Sequence, residues 1–403
     1  MHGLRSWQVR AHFSHLRVFF SFFKPRLFTV LAIPIMATQP PPEAKLLDKF
    51  TDGISALQYL ASSSPAGGGS STRLASTSWD GSLRLHDTSE AKRASPGLLS
   101  HNMESGPVLS LAAPLSVNGL VTGGLDGSIR MLDIETTTVQ SIGMHTKDGD
   151  DEETSAAAVS ISAACACLAA MNGDHPNLVA SASWNQQLCI WDIRQQSQEA
   201  VAQAELPGKA FSMDVDSTHG RIVVATSGRH NIFYDLRKGG NTAYTLEQTL
   251  NRESSLKFQT RTIRFFPDGH AFCVGSIEGR VGVEFLEELG LANNGMKKYA
   301  FKCHRVGDMV YPVNVIAFHP KFTSTFATGG CDGTVVLWDG SNKKKLTALP
   351  IFPTSISALS FSEDGTHLAI ASSYTHEEGD REHPQDEIYV RKILDTEAMP
   401  KSK

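Results

Sequence analysis

The sequence predicts an all-β fold, a β-propeller of seven blades, and three observations carry that prediction. A ten-residue pattern recurs along the chain: SWDGSLRLHD at 78–87, GLDGSIRMLD at 124–133, SWNQQLCIWD at 183–192 and GCDGTVVLWD at 330–339. Each copy reads as a small-residue strand end, an Asp-Gly-type turn, an alternating strand and a closing Asp. Gly enters the positive φ of such a turn at the least cost. The closing residues Asp87, Asp133, Asp192 and Asp235 recur 43 to 59 positions apart, and Asp339 follows beyond a degenerate copy. That is the period of a propeller blade carrying loop insertions.

Taken from the N-terminus, the first 36 residues stand apart, with Arg5, Arg10, Arg17, Lys24 and Arg26, no acid, and a Phe cluster from Phe13 to Phe28. That composition suits a transit peptide or a surface amphipathic helix. Met36 opens a self-contained start, MATQPPPEAK, so the segment reads as a dispensable leader or an upstream start joined to the true one, with a working targeting signal as the other reading. Residues 37–44 form a linker. KLLDKF at 45–50 is apolar, precedes the first full repeat and lacks its own hairpin; it is expected to supply the outermost strand of the last blade and so close the ring. In the first repeat Leu83 and Leu85 point to one face, Arg84 and His86 to the other. Degenerate copies follow at TSGRHNIFYD, 226–235, and SIEGRVGVEF, 276–285. A stretched seventh copy runs from LAIASSY at 368–374 through a polar insertion to IYVRKI at 388–393. SSSPAGGGSS at 62–71 and DGDDEE at 148–153 read as loops. The propeller is thus expected over 45–396, with 397–403 as a tail.

A chain of 403 residues with 41% hydrophobic and 20% charged residues can fill one closed propeller, and a net charge of −5 does not advertise nucleic-acid binding. No run approaches the roughly 20 apolar residues of a bilayer-spanning helix. The six cysteines, Cys165, Cys167, Cys189, Cys273, Cys303 and Cys331, make no paired CxxC set and read as reduced, buried thiols. The acidic loop lacks the Gly and Glu register of an EF-hand, and no phosphate loop, HExxH or GxSxG motif is present, so no metal, cofactor or catalytic residue is expected. His304 and His319 read as structural or solvent-facing.

Polar chemistry without catalytic pairing is more informative. RESSLKFQTR at 252–261 is basic where a propeller strand should form, and Arg280 follows in IEGR. An Arg at a strand end can aim a planar fork at a carboxylate or phosphate from the rim, or close a salt bridge within its own blade; spacing alone leaves both open. Trp79 and Trp184 occupy equivalent positions just before their turns, where other blades have Leu125 and Cys331. Two indoles on one rim make good partner anchors, with packing between blades as the alternative.

RESSLKFQTR, SIEGRVGVEF, KKYAFKCHR, YPVN, FATGGCDG, PTSISALSFSEDGTHLAIASSY and EHPQDEIYVRK together resemble the mitotic-checkpoint WD-repeat family of the budding-uninhibited-by-benzimidazole group, in colinear order over about 45–400. The nearest related family, the WD-repeat messenger-RNA export factors, shares the architecture. The resemblance implies a WD-repeat propeller without enzymatic activity, acting in the nucleus and at kinetochores in mitosis. It implies binding of GLEBS-type motifs of a checkpoint kinase and a kinase-like checkpoint protein through Trp79, Trp184 and Arg261. It further implies recognition of phosphorylated Met-Glu-Leu-Thr repeats of a kinetochore scaffold through Arg280 and Lys302, and membership of an assembly that inhibits the anaphase-promoting complex. No direct nucleic-acid or membrane partner is expected. The leader, the acidic loop, the Gly-Ser loop and GLANNGM at 290–296 depart from the family pattern.

Overall fold

Short alternating runs joined by tight turns satisfy their backbone groups most directly as an antiparallel meander. The computed structural model describes residues 45–46, 48–61, 71–89, 92, 97–104, 106–146, 163–239, 243–286 and 297–401. In it the seven repeats become seven sheets. Blade 1 consists of Ile54–Tyr59, Arg73–Ser78, Ser82–Asp87 and Leu99–Asn102, paired in that order. Blades 2 to 6, at 108–144, 165–205, 210–253, 260–302 and 313–348, repeat this four-stranded order. Blade 7, at 356–392, has three strands of its own. The leader, the linker to residue 44, the Gly-Ser stretch 62–70, the acidic loop and the 290–296 insertion lie outside the described residues.

The first strand of each blade neighbours the first strands of the blades before and after it, and blade 7 meets blade 1, so the sheets close a ring. These inner strands line an axial channel of about 510 Å³. Apolar side chains of facing sheets interdigitate at every seam, giving seven clusters in place of one central core. Leu83, Leu85 and Val108 join blades 1 and 2, for example, and Val335, Leu337 and Ile356 join blades 6 and 7.

The closing segment is shorter as a strand than expected. Lys45 forms a single antiparallel bridge with Tyr389, and the Leu46 amide donates to the Ile388 carbonyl at 2.9 Å. Beyond that the chain leaves the sheet to bury Leu46 and Phe50 between blades 7 and 1. Its outer-strand role survives as one rung, and burial supplies the rest of the closure.

The closing Asp residues cap the turn after the third strand: Asp87 accepts from the Ser89 amide, Asp133 from Glu135 and Thr136, Asp192 from Arg194 and Asp339 from Asn342. His145, His304 and His319 are structural. In blade 6, Trp338 Nε1 donates to Thr328 Oγ1 at 2.9 Å, and His304 bridges that hydroxyl to Asp332, with both contacts at 2.9 Å. His145, Ser181 and Trp191 repeat the arrangement in blade 3. His319 is buried, with Nδ1 accepting the Lys321 and Phe322 amides. All six cysteines are free and buried, and burial pushes the Cys167, Cys189 and Cys303 thiols up to about 12.

Candidate peptide-binding rim

One hydrogen bond recurs in every blade and defines an edge of the ring. The residue after the second strand donates its amide to the carbonyl just ahead of the first strand: Trp79 to Gly53 at 2.8 Å, Leu125 to Pro107 at 2.9 Å, Trp184 to Ala164 at 3.0 Å and Cys331 to Pro312 at 3.1 Å. Second strands therefore end, and first strands begin, on one rim. Third strands start there and fourth strands finish there, because neighbours run antiparallel. Trp79, Trp184, Arg261, Arg280 and Lys302 all lie on that rim.

The rim does not gather them into one cluster. Trp79 sits on blade 1 and Trp184 on blade 3, with blade 2 between them, and both indoles are half-buried. Trp79 lies over Gly53, which a Cβ would bring to 3.6 Å from Cδ1 of the ring. Arg261, the second residue of Thr260–Phe265, lines the mouth of the channel and donates from Nη2 to Asn314 Oδ1 of blade 6 at 3.0 Å.

RESSLKFQTR is mostly the link between two strands. Arg252 and Glu253 finish the outer strand of blade 4, residues 254–259 cross the rim, and Thr260 opens blade 5. Glu284 organises the crossing: Arg252 Nη1 meets its Oε2 at 3.1 Å, and the Ser255 amide donates to Oε1 at 3.2 Å. Leu256 plugs the seam between blades 4 and 5, which leaves Lys257 and Phe258 exposed. A polar run read as a strand is thus a strap whose polar groups find partners on the next blade.

Blade 5 does bring the two remaining residues together. Arg280 opens the third strand, Arg280–Phe285, and pairs directly with Lys302, the last residue of Tyr299–Lys302. Directly opposed residues hold their Cβ atoms about 4.5–5.5 Å apart. Val281 and Phe301 belong to the seam with blade 6, so Arg280 and Lys302 both face blade 4. Lys302 is exposed, and Arg280 keeps about a third of its side chain in solvent, at 34%. Glu278 lies 3.3 Å from Arg280 Nε, an ion-pair contact that lacks hydrogen-bond alignment. The intrablade salt bridge and the rim cation are therefore both present. Arg229, Lys257 and Arg305 add positive charge nearby; Arg229 is paired with Glu253, and Arg305 donates to the Glu278 carbonyl at 2.9 Å.

Repeat spacing alone did not reveal the row behind this pair. Thr260 pairs with Ser276 and Ser276 with Arg280, so one transverse row of blade 5 reads Thr260, Ser276, Arg280, Lys302 from channel to edge. Nor did it reveal the two-stranded ribbon of Arg305–Val306 and Met309–Val310, whose Val306 and Met309 are exposed beside the pair. Among the described residues no group of His, Cys, Asp and Glu is placed to hold a metal ion.

A ring of meandering blades, fastened by buried Trp–Ser/Thr–His contacts and opening a cationic rim, defines a WD-repeat β-propeller. The WD domain, G-beta repeat family matches residues 296–339. The chain is 38% identical over 349 residues to the mitotic checkpoint protein bub3 of Dictyostelium discoideum, covering 85% of this chain and 92% of the relative. It is 39% identical over 360 residues to the mitotic checkpoint protein BUB3.1 of Arabidopsis thaliana, covering 88% and 93%. A poly(A)+ RNA export protein of Schizosaccharomyces pombe is 31% identical over 310 residues, covering 76% and 79%. The chain belongs to the Bub3 family of mitotic-checkpoint WD-repeat proteins.

Proposed function

We propose that this chain is a non-catalytic adaptor of the spindle assembly checkpoint, working in the nucleus and at kinetochores in mitosis. On this reading Trp79, Trp184 and Arg261 hold GLEBS-type motifs of the checkpoint kinase and its kinase-like relative. Arg280 and Lys302 hold the phosphothreonine of a Met-Glu-Leu-Thr repeat on a kinetochore scaffold, and the loaded adaptor joins the inhibitor assembly of the anaphase-promoting complex. The observation that carries the reading is the Arg280–Lys302 cross-strand pair, two cations set side by side at a solvent-facing edge. A phosphate brings about −1.5 to −2 charges and three acceptor oxygens, so such a pair favours the modified threonine over the free hydroxyl. Glu278 holds Arg280 in the free protein; an incoming phosphate competes for the same guanidinium.

The test is calorimetry with phosphorylated and unphosphorylated Met-Glu-Leu-Thr peptides. Wild type is expected to prefer the phosphorylated form, and Arg280→Ala with Lys302→Ala to lose about 100-fold in affinity, the worth of two charge-assisted contacts. Equal binding by wild type and the double variant would remove the pair from the site. A second reading, an RNA-export adaptor at nuclear pores, has in its favour the similarity to the export protein. Recovery from mitotic cells of a pore protein in place of a checkpoint kinase would decide for it.

A further inference from the structure

The turn between the second and third strands has the same local chemistry in blades 1, 2 and 6, and blade 5 departs from it. Asp80, Gly81 and Ser82 make this turn in blade 1, Asp126, Gly127 and Ser128 in blade 2, and Asp332, Gly333 and Thr334 in blade 6; blade 5 has Glu278, Gly279 and Arg280. Each Asp carboxylate accepts the backbone amide two residues on, from Ser82 and Ser128 at 2.9 Å and from Thr334 at 3.2 Å, and also accepts from that residue's hydroxyl. Among the described residues the Glu278 carboxylate makes no such bond to the backbone; it meets the guanidinium of Arg280, 3.3 Å from Nε. The blade 5 turn is held without it. The Glu278 amide donates to Ser276 Oγ at 3.3 Å, the Cys303 amide to the Gly279 carbonyl at 3.0 Å, and Arg305 Nη2 to the Glu278 carbonyl at 2.9 Å. Two joint changes, Asp to Glu and Ser or Thr to Arg, thus convert a turn cap into a counter-ion beside the rim cations.

We propose that Glu278 is a specificity-determining residue of the Arg280–Lys302 site, an internal competitor that excludes carboxylate ligands and admits phosphate. The inference rests on the phosphopeptide reading above. An unmodified Met-Glu-Leu-Thr repeat already carries a carboxylate two residues before its threonine, and a bare pair of cations would attract it. With Glu278 in place, a ligand carboxylate exchanges one carboxylate for another at Arg280 and gains nothing to set against the entropy lost on association. A phosphothreonine brings about −1.5 to −2 charges and three acceptor oxygens, enough to draw the guanidinium from Glu278 and to engage Lys302 across the strand at once. Only 17% of the Glu278 side chain is exposed, so water and salt screen its contact with Arg280 less than they would on an open surface.

The experiment uses the full chain and Glu278→Gln, which keeps the size of the side chain and removes its charge. Calorimetry compares three Met-Glu-Leu-Thr peptides: phosphorylated, unmodified, and with glutamate in place of the phosphothreonine. Wild type is expected to bind the first alone. Glu278→Gln should bind the phosphorylated peptide about 5-fold tighter, the upper end for a partly exposed ion pair, and should acquire measurable binding of the glutamate peptide. In an Arg280→Ala background the same substitution should lose most of that gain. Unchanged or weaker binding by Glu278→Gln overturns the proposal, the weaker case because Glu278 would then position Arg280 and not compete for it. A gain of full size without Arg280 overturns it as well, since Glu278 would then act by general repulsion. Inorganic phosphate, titrated against the Arg280 Nε–H signal in NMR, separates the two readings. If wild type binds all three peptides alike, the phosphopeptide reading falls; the competitor then stands if Glu278→Gln responds to about 5-fold less phosphate than wild type, and falls if the two respond equally.

Discussion

At the third position of the blade turn the backbone takes a φ of 84° at both Gly81 and Gly127, where the absence of a Cβ makes the left-handed region cheap. Gln186 takes the same position in blade 3 with a φ of 71°, and Arg229 in blade 4 with 68°. Arg229 is offset by donating from Nη1 to the Leu256 carbonyl at 2.8 Å and by its ion pair with Glu253. Gln186 is exposed, and its amide and carbonyl make backbone bonds that any residue retains. Gln186→Gly is therefore expected to stabilise the protein by about 1 kcal/mol, the lower end of the left-handed penalty. Arg229→Gly, which loses two contacts, should bring no gain. Urea unfolding of the two variants checks the pair of outcomes.

Residues of this kind show what the repeat pattern could tell. Trp79, Trp184 and Arg280 could be placed on one rim because each occupies a defined column of the repeat, whereas Lys302, on a fourth strand outside the repeated unit, came only from the family resemblance. Asn231 was equally legible, a lone buried amide in a column of Leu, Ile and Val, but what faces it on the next blade is not written in either strand. The depth of the indoles was likewise invisible, since Trp79 lies over Gly53, a residue 26 positions earlier that reaches it through the pairing of the first two strands of blade 1.

At the scale of elements, strands with a turn signal and alternation were readable in all seven repeats, whereas elements defined by what they pack against were not. RESSLKFQTR looked like a polar strand because sequence does not show that Glu284 is waiting for Arg252 and Ser255. The ribbon at Arg305–Val310 has two residues per strand, too few for a period to register. Packing also explains Gly143 on the outer strand of blade 2, where a Cβ would come within 2.5 Å of Cε3 of Trp191 on blade 3. Trp191 cannot withdraw without giving up its bond to Ser181 at 2.7 Å and its edge contact with His145. Gly143→Ala is expected to cost about 2–3 kcal/mol by overpacking, with a lower melting temperature. A matching loss of near-UV dichroism from Trp191 would place the strain at this seam.

For the whole molecule, stability depends on the one seam that covalent order does not secure, between blade 7 and blade 1. A ring of sheets has no free inner edge once closed, so opening this seam exposes two faces at once. The closing segment contributes Leu46 and Phe50 to that seam, and Arg84 of blade 1 clamps it from outside. The guanidinium lies 4.1 Å from the Phe50 ring centroid and donates to the Lys49 carbonyl at 2.7 Å. Phe50→Ala removes a buried ring and its cation–π partner together, for an expected loss of about 3–4 kcal/mol. Because the seam lies between the chain ends, that loss should appear as a shift of the entire urea transition. A separate early phase would show instead that blade 1 or blade 7 frays alone.

The same closure carries a pH dependence. Asp48 lies in the closing segment and accepts from His86 at 2.7 Å, while the other ring nitrogen of His86 meets Ser76 at 2.8 Å; an Asp–His–Ser chain thus replaces in blade 1 the indole-based contacts of blades 3 and 6. The hydrogen bond from His86 is the largest influence on Asp48, and with the Gly97 amide and the charge of Arg84 it outweighs burial and holds the carboxyl below its ordinary value of 3.8. A carboxylate with a depressed pKa in the folded state adds stability above its unfolded value, and that stability is lost as pH falls through the folded one. Asp48→Asn keeps the shape and an acceptor but removes the charge. The variant should therefore melt lower than wild type at pH 6, and the gap should close as the pH drops below about 4. A gap that stayed constant down to pH 3 would assign the loss to altered hydrogen bonding at Asp48 with no part played by its charge, whereas its disappearance would show that the ring is latched by a charge carried from outside the repeats.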